Sequence, residues 1–410
     1  MNKATPSPDV LIVGAGITGL ATALALAEAG ASVELLERYA PAAMASGWTL
    51  AGVRQSGRDP AELPLARHAV SLWQELDERL GAPTGYRQGG NLRLARNERE
   101  AATIRALVSD QRAAGLGIEL LEGAAIRDVA PALSPDVALA SWCPADGHAD
   151  PLATIEAYRH AAGRLGVRLA SGAHVEGLDV RDGRFRAVRL ADGGTRGAQA
   201  CVLATGIHTG TPLAPLGVEL PIRTASVSVL QSAPLEPTLA PVIGVAGADL
   251  AVRQQLDGRF RFTGGAEMPH QPLTERDGRP HVPVRAASLA AIIERAAAVL
   301  PVLGATPLER FWGGLLDMTP DALPVIDRVP GADGLVVAAG FSGHGFGIGP
   351  AVGPCVAALA LGHAPPVSLD AFALARFDDG TGRAVGARSA QGASARGAGE
   401  RVLAEPTLHG

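Results

Sequence analysis

The hydrophobic pattern opens on a short apolar run, Val10–Val13, followed by an Ala/Leu-rich stretch, Ile17–Ala29, that stops at Gly30. A second apolar run, Val33–Leu36, ends at Glu37. The short runs read as buried strands and the middle stretch as a helix with glycine just past its end. Together they make a βαβ unit in under 35 residues. Val10–Ala27 carries no charge, which raises the question of a membrane span. Gly14, Gly16 and Gly19 punctuate the run at fixed spacing and argue against one.

Further along, Ala61–Leu80 has Leu65, Ala69, Leu72, Leu76 and Leu80 on one helical side. Helices are also predicted over Asn97–Ala114, within Gly147–Leu165 after Asp150-Pro151, and over Arg285–Leu300. Val167–Leu169, Val175–Leu178 and Phe185–Leu190 read as short strands around Asp-Gly turns. Ala200–Ala204 is a fully apolar strand leading into Thr205-Gly206. Arg223–Leu230, Leu250–Gln255 and Phe260–Thr263 alternate as in an antiparallel sheet, with Asp257-Gly258 as a hairpin signal. Leu335–Ala339 is a buried strand, followed by a glycine-dense loop and a helix from about Gly349 to Leu361. Asp378–Gly399 is Gly, Ala, Ser, Arg and Asp without an aromatic, which predicts a flexible tail. No internal repeat is visible. The alternation of helices and strands makes this an α/β chain.

The glycine turn has a specific chemistry. Gly14 permits a tight turn, Gly16 lets a pyrophosphate approach the backbone, and Gly19 lets helix and strand pack closely. The helix N-terminus then offers N–H groups and partial positive charge to phosphates. Glu37 stands 23 positions after Gly14, where an acid accepts the ribose hydroxyls of an adenosine. An acid there disfavours a 2′-phosphate, leaving FAD or NAD over NADP.

Composition narrows the field. At 410 residues and 41.7 kDa the chain is long enough for two or three domains. With 36 basic and 41 acidic residues the net charge is −5, so no global basic excess invites nucleic acid. Lys3 is the only lysine, which removes Schiff-base and lysine general-base chemistry from the core of the chain. Cys143, Cys201 and Cys355 are widely spaced, against a disulfide framework or a zinc or iron–sulfur site. No metal is expected. The cysteine usage and the absence of a signal-like start in Met1–Pro8 point to the cytoplasm.

Four segments in combination resemble the FAD-dependent amino-acid and amine oxidoreductases of the D-amino acid oxidase superfamily, which includes glycine oxidase, sarcosine oxidases and amino-acid dehydrogenases. They are Val10–Arg38; Ala45-Ser46-Gly47 with Ala51-Gly52-Val53-Arg54; Val202–Gly206; and Trp312–Asp327 with Gly340–Gly353. Met318-Thr319-Pro320-Asp321 and Phe341–Phe346 are most similar to the β subunits of heteromeric sarcosine oxidases. The resemblance implies a Rossmann-like FAD-binding domain, a parallel sheet with helices, over 1–84, 145–222 and 312–377. It also implies a discontinuous substrate domain on a mixed, largely antiparallel sheet over 85–144 and 223–311, with 378–410 as the tail.

The implied activity is hydride transfer from a substrate Cα–H to flavin N5, followed by imine hydrolysis, on a secondary amine or amino acid of N-alkyl, imino-acid or opine type. Implied FAD contacts are Gly14, Gly16, Ile17, Thr18, Gly19, Glu37 and Arg38 in the first unit. Ser46, Gly47, Ala51, Gly52 and Val53 follow, then Val175, Ala204, Thr205 and Gly206. The last group is Gly340, Gly343, His344, Gly345, Phe346 and Gly347. A helix N-terminus after Gly340 would face the flavin N1/C2=O edge. His344 and Arg54 are the implied catalytic groups, with a carbonyl-satisfying role in the loop as the other reading of His344. His148 reads as structural, and His208 as lining the FAD domain surface. Arg54, Arg253, Trp48 and Leu316 are candidate substrate contacts. Leu316 stands where glycine-oxidase-like members carry a carboxylate-binding arginine, a departure that counts against simple glycine or D-amino acid oxidation. Relatives that attach flavin covalently use a histidine in the loop after the second strand or a cysteine matching Phe311–Asp321. Neither is present, so FAD is expected to be non-covalent. The electron acceptor is O2 or another carrier, and a partner subunit is one possibility the β-subunit likeness opens. A D-amino acid oxidase or dehydrogenase, a flavin-binding assembly protein without turnover and an NAD dehydrogenase are the alternatives.

Overall fold

The computed structural model describes residues 7–378. The expected tail beyond Asp378, and most of the Met1–Pro8 start, lie outside the described residues. The first βαβ unit forms as Val10–Val13, Ile17–Glu28 and Val33–Glu37. Val10–Val13 lies centrally in a six-stranded sheet ordered Val325–Arg328, Leu335–Ala339, Ala200–Leu203, Val10–Val13, Val33–Glu37 and Arg168–Ser171. Neighbours run parallel except Val325–Arg328. The central strands are apolar at every position because helices or loops cover both faces.

The Ile17–Glu28 helix packs against a helix at Gly345–Ala360. A Cβ at Gly349 would lie 2.4 Å from Ile17 Cγ1, and one at Gly353 would lie 2.6 Å from Ala21. Only glycine allows this approach. The second helix starts four residues earlier than its sequence suggests and contains Pro350 and Pro354. Glycines and prolines are poor helix formers, but burial of Phe346, Ile348, Val352, Cys355 and Val356 overrides the local preference. Trp73 Nε1 also donates to the Gly347 carbonyl at 2.7 Å. The predicted Ala61–Leu80 helix forms as two, Leu63–Gln74 and Leu76–Leu80, meeting at Glu75.

A second sheet has eight strands, ordered Leu308–Met318, Arg223–Pro234, Arg259–Gly264, Leu250–Gln254, Val242–Val245, Asn91–Ala95, Leu139–Cys143 and Glu119–Glu122. Only the Val242–Val245 and Asn91–Ala95 pair is parallel. Five of these strands were not expected: Asn91–Ala95, Glu119–Glu122, Leu139–Cys143, Val242–Val245 and Leu308–Met318. Asn91–Ala95 alternates Asn91 and Arg93 with Leu92 and Leu94 in sequence, yet it is buried at every position. Val242–Val245 is short and interrupted by Gly244. The Ala286–Val299 helix covers one face of this sheet. The opposite face turns toward the six-stranded half and carries buried Arg93, Arg253, Arg261 and Gln231. The Leu308–Met318 strand is an edge strand. Its first half is exposed, with Phe311 at 56%, and its second half is buried. The expected 311/312 division falls inside it.

A small hairpin, Thr274–Arg276 with Arg279–His281, extends from the large sheet to the six-stranded half. There Glu275 meets Arg38 and Tyr39. No helix among the described residues is long and apolar enough to cross a membrane.

Candidate active site

The turn after the first strand is built as its glycines require. Gly14 has φ +106°, and a Cβ there would lie 2.3 Å from the Ala204 carbonyl oxygen. A Cβ at Gly19 would lie 1.9 Å from the Gly14 carbonyl oxygen. Gly16 precedes the helix with no side chain capping it, and Ser46 Oγ accepts from Ile17 N at 3.0 Å. Both Glu37 oxygens are oriented by backbone amides: Oε2 accepts from Ala15 N at 2.7 Å and Oε1 from Tyr39 N at 2.9 Å. Each oxygen keeps a lone pair for a hydroxyl donor.

These residues border a cavity of about 560 Å³. Of the expected cofactor residues, Gly14, Gly16, Ile17, Thr18, Glu37, Arg38, Ser46, Val175, Ala204, Thr205, Gly206, Gly343, Gly345 and Phe346 line it, as do Trp48 and Leu316. Gly19, Gly47, Ala51, Gly52, Val53, Gly340, His344 and Gly347 stand behind the wall. Gly47 packs on the Ala42 carbonyl and Gly347 on the Gly52 carbonyl. Gly52 and Val53 pair with His148 and Gly147. Arg54 and Arg253 also do not line the cavity.

The cavity runs on from the glycine cradle to a second wall made by Trp48, Thr49, Leu50, Val227, Val229, Thr263, Gly314, Leu315 and Leu316. Val227, Val229 and Thr263 escaped the sequence reading, although strand alternation puts Val227 with Val229, and Thr263 with Arg261, on single faces. His208 lines the cavity too, its pKa lowered first by burial and then by Arg38. Asp317 was also missed as a site residue. It is a lone carboxylate in the apolar Gly313–Met318 run, and that was the available signal. It lines the cavity while its Oδ2 accepts from Gly340 N at 2.7 Å. Burial pushes its carboxyl up to about 6 against the pull of the backbone amides.

Arg54 and His344 belong to a buried ionic group behind the wall. His344 Nδ1 lies 3.1 Å from Glu62 Oε2, and Arg58 Nε lies 4.0 Å from Glu62 Oε1. The side chain of His344 turns to Glu62, while Gly343 and Gly345 on either side of it line the cavity. A Cβ at Gly57 would be 3.0 Å from Arg93 Nη1 and 3.7 Å from Arg54 Nη1, so these arginines converge. Asp146 accepts from Gln55 N at 2.9 Å and from the Ser56 hydroxyl. Burial raises Glu62, but His344 and Arg58 outweigh it and bring it to about 2. Burial, then Arg58, lowers His344. Glu62 is therefore ionised at neutral pH, and the His344 Nδ1–H donates to it.

Arg253 is buried with its Nη1 2.8 Å from His148 Nδ1. Burial, then Arg261, pushes it down to about 9. Arg261 lies over the Trp312 ring at 5.4 Å and bonds Gln231 Oε1 at 3.1 Å. The Trp48–Leu50 segment separates these arginines from the cavity. Trp312 Nε1 ties it to the sheet through the Trp48 carbonyl at 3.1 Å.

The arrangement fits FAD. It supplies a turn that side chains would fill, a helix start whose Gly16 adds no side chain of its own, an oriented carboxylate and a second glycine-lined helix start at Gly343–Gly345. The family model for FAD dependent oxidoreductases, DAO, matches residues 9–359. The sarcosine oxidase subunit beta of Rhizobium meliloti (strain 1021) is 30% identical over 384 residues, 92% of this chain and 89% of that protein. Glycine oxidase of Geobacillus kaustophilus is 27% identical over 379 residues, covering 90% of this chain and 97% of that one. The solved structure of L-proline dehydrogenase from P. horikoshii superposes with a TM-score of 0.84 at 25% identity, covering 92% and 99% of the two chains.

Proposed function

The chain belongs to the FAD dependent oxidoreductase family, and we propose that it oxidises a secondary amine or an amino acid of the N-alkyl, imino-acid or opine type. The carrying observation is one continuous cavity that joins the dinucleotide cradle to a wall of Trp48, Leu50, Val227, Val229, Thr263 and Leu316. FAD, when bound, supplies the hydride acceptor. Gly14, Gly16 and the Ile17–Glu28 helix start would hold its phosphates, and Glu37 would take the ribose hydroxyls. The apolar wall keeps water from the C–H bond next to nitrogen. The bound flavin would take the hydride from that carbon as the nitrogen lone pair forms C=N, and hydrolysis of the imine would give a carbonyl and an amine. Leu316 argues against a substrate held only by a carboxylate clamp.

In this reading residues 1–84, 145–222 and 312–377 form the FAD half and 85–144 with 223–311 the substrate half. Free, buried Cys143, Cys201 and Cys355 support a reducing, cytoplasmic setting. FAD is held without a covalent bond, so acid precipitation should leave the yellow colour in the supernatant.

The test is anaerobic mixing of the yellow protein with a panel of secondary amines and D- and L-amino acids. Bleaching by an N-alkyl or cyclic amino acid supports the proposal, and a flavin that no amine bleaches sinks it. Each hit is then repeated in air. Slow reoxidation would favour a second reading, a flavin subunit of a heteromeric dehydrogenase. The exposed edge at Leu308–Phe311 and the similarity to a sarcosine oxidase subunit beta support that reading.

A further inference from the structure

Three guanidinium groups, Arg54, Arg58 and Arg93, act on one another behind the cavity wall. Two carboxylates oppose them, Glu62 and Asp146. Three guanidinium groups facing two carboxylates leave the group at least one positive charge in excess. Arg58 is fully buried, and among the described residues neither its Nη1 nor its Nη2 has a hydrogen-bond partner. A buried cation whose carboxylate partner stands 4.0 Å away is costly and persists where something else benefits from it. Two connections lead from this group to the cavity. His344, held by Glu62, is the residue immediately before the Gly345–Ala360 helix, and Gly345 lines the cavity. The Gly52–Val53 strand runs directly into Arg54, and the Gly52 carbonyl packs on Gly347 in the first helical turn.

Resting on the FAD reading, we propose that the Arg58–Glu62–His344 group supplies, through this helix start, the positive field that favours electron uptake by the flavin. A flavin that accepts a hydride gains negative charge, and that is the charge the cluster lacks. Fixed charge placed where charge develops needs no reorganisation during the reaction. Arg58 and Glu62 are positioning residues in this scheme. Neither touches the cavity, and both act through His344 and the helix it begins.

The design makes opposite predictions for opposite charges. Arg58→Met removes a positive charge, whereas Glu62→Gln removes a negative one and keeps a hydrogen-bond acceptor for His344. The full chain with its bound flavin is used, and flavin content is measured first. A chain that takes up no flavin in its unaltered form refutes the function proposed above rather than this assignment. With flavin present, the midpoint potential and the dissociation constant for sulfite, which adds to electron-poor flavins, are measured. Arg58→Met should lower the potential and weaken sulfite binding on the order of tenfold, the scale of one charge at interior dielectric. Glu62→Gln should raise the potential and tighten sulfite binding, and Arg58→Lys should stay near the unaltered protein. Shifts in the same direction for both substitutions, or sulfite constants within about twofold of the original, overturn the proposal. If Arg58→Met retains no flavin, Glu62→Gln decides alone, and failure to tighten sulfite binding overturns it.

Discussion

Glu275 accepts a hydrogen bond from the Tyr39 hydroxyl at 2.6 Å and an ion pair from Arg38 at 2.9 Å. Arg38 and Tyr39 line the cavity just beyond Glu37, whereas Glu275 belongs to the hairpin from the other half. The contact closes the molecule across the ribose end of the cavity. Glu275→Ala should leave the fold intact and speed FAD release several-fold, on the order of what one exposed ion pair contributes. The check is the rate of flavin fluorescence recovery after dilution. An unchanged rate would mean the hairpin does not gate the cofactor.

Glu37 is the second test. Glu37→Leu removes an oriented carboxylate and leaves the Ala15 and Tyr39 amides without an acceptor. Charged hydrogen bonds are worth about 1.5–3 kcal/mol. FAD affinity should therefore fall on the order of 10- to 100-fold. Fluorescence quenching titration of the apoprotein measures it.

Asp317 predicts a pH dependence. Its folded pKa of about 6 exceeds the ordinary 3.8. The folded state therefore binds the proton more tightly than the unfolded one. The cost of ionising Asp317 is absent below the ordinary pKa, grows as pH rises between about 4 and about 6, and is complete above that. Asp317→Asn removes it. The stability of the variant relative to the unaltered protein should rise across that window by on the order of 2 kcal/mol. Denaturant unfolding of the apoproteins at pH 4.5 and 7.5 measures the change; a flat difference would contradict the raised pKa.

Leu316 tests the substrate reading. Leu316→Arg places a guanidinium on the cavity wall, where it can fork a carboxylate. Specificity should move toward glycine and small D-amino acids, with kcat/KM for them rising about tenfold and that for apolar amines falling. Steady-state assays on both substrate sets distinguish this from a general loss of activity.

Much of this was legible in the sequence, though unevenly. The βαβ unit could be read because each layer of evidence agreed: apolar strands, three spaced glycines, a terminating glycine and an acid. Phe260–Thr263 was readable through alternation and its Asp-Gly turn. Asn91–Ala95 alternates as well and went unread, and nothing in its pattern announces that Arg93 is buried. The direction of His344 was equally hidden. Which way a side chain leaves a helix start depends on what lies behind it, and Glu62 is 282 positions away in the chain. Arg253 looked free for a ligand because nothing local announces that His148 will meet it.

The glycine contacts at Gly349 and Gly353 lock the helix behind the phosphate turn to the helix that begins beside Phe346. The two helix starts on the cavity wall therefore hold one fixed spacing, and any side chain at Gly353 would shift both together.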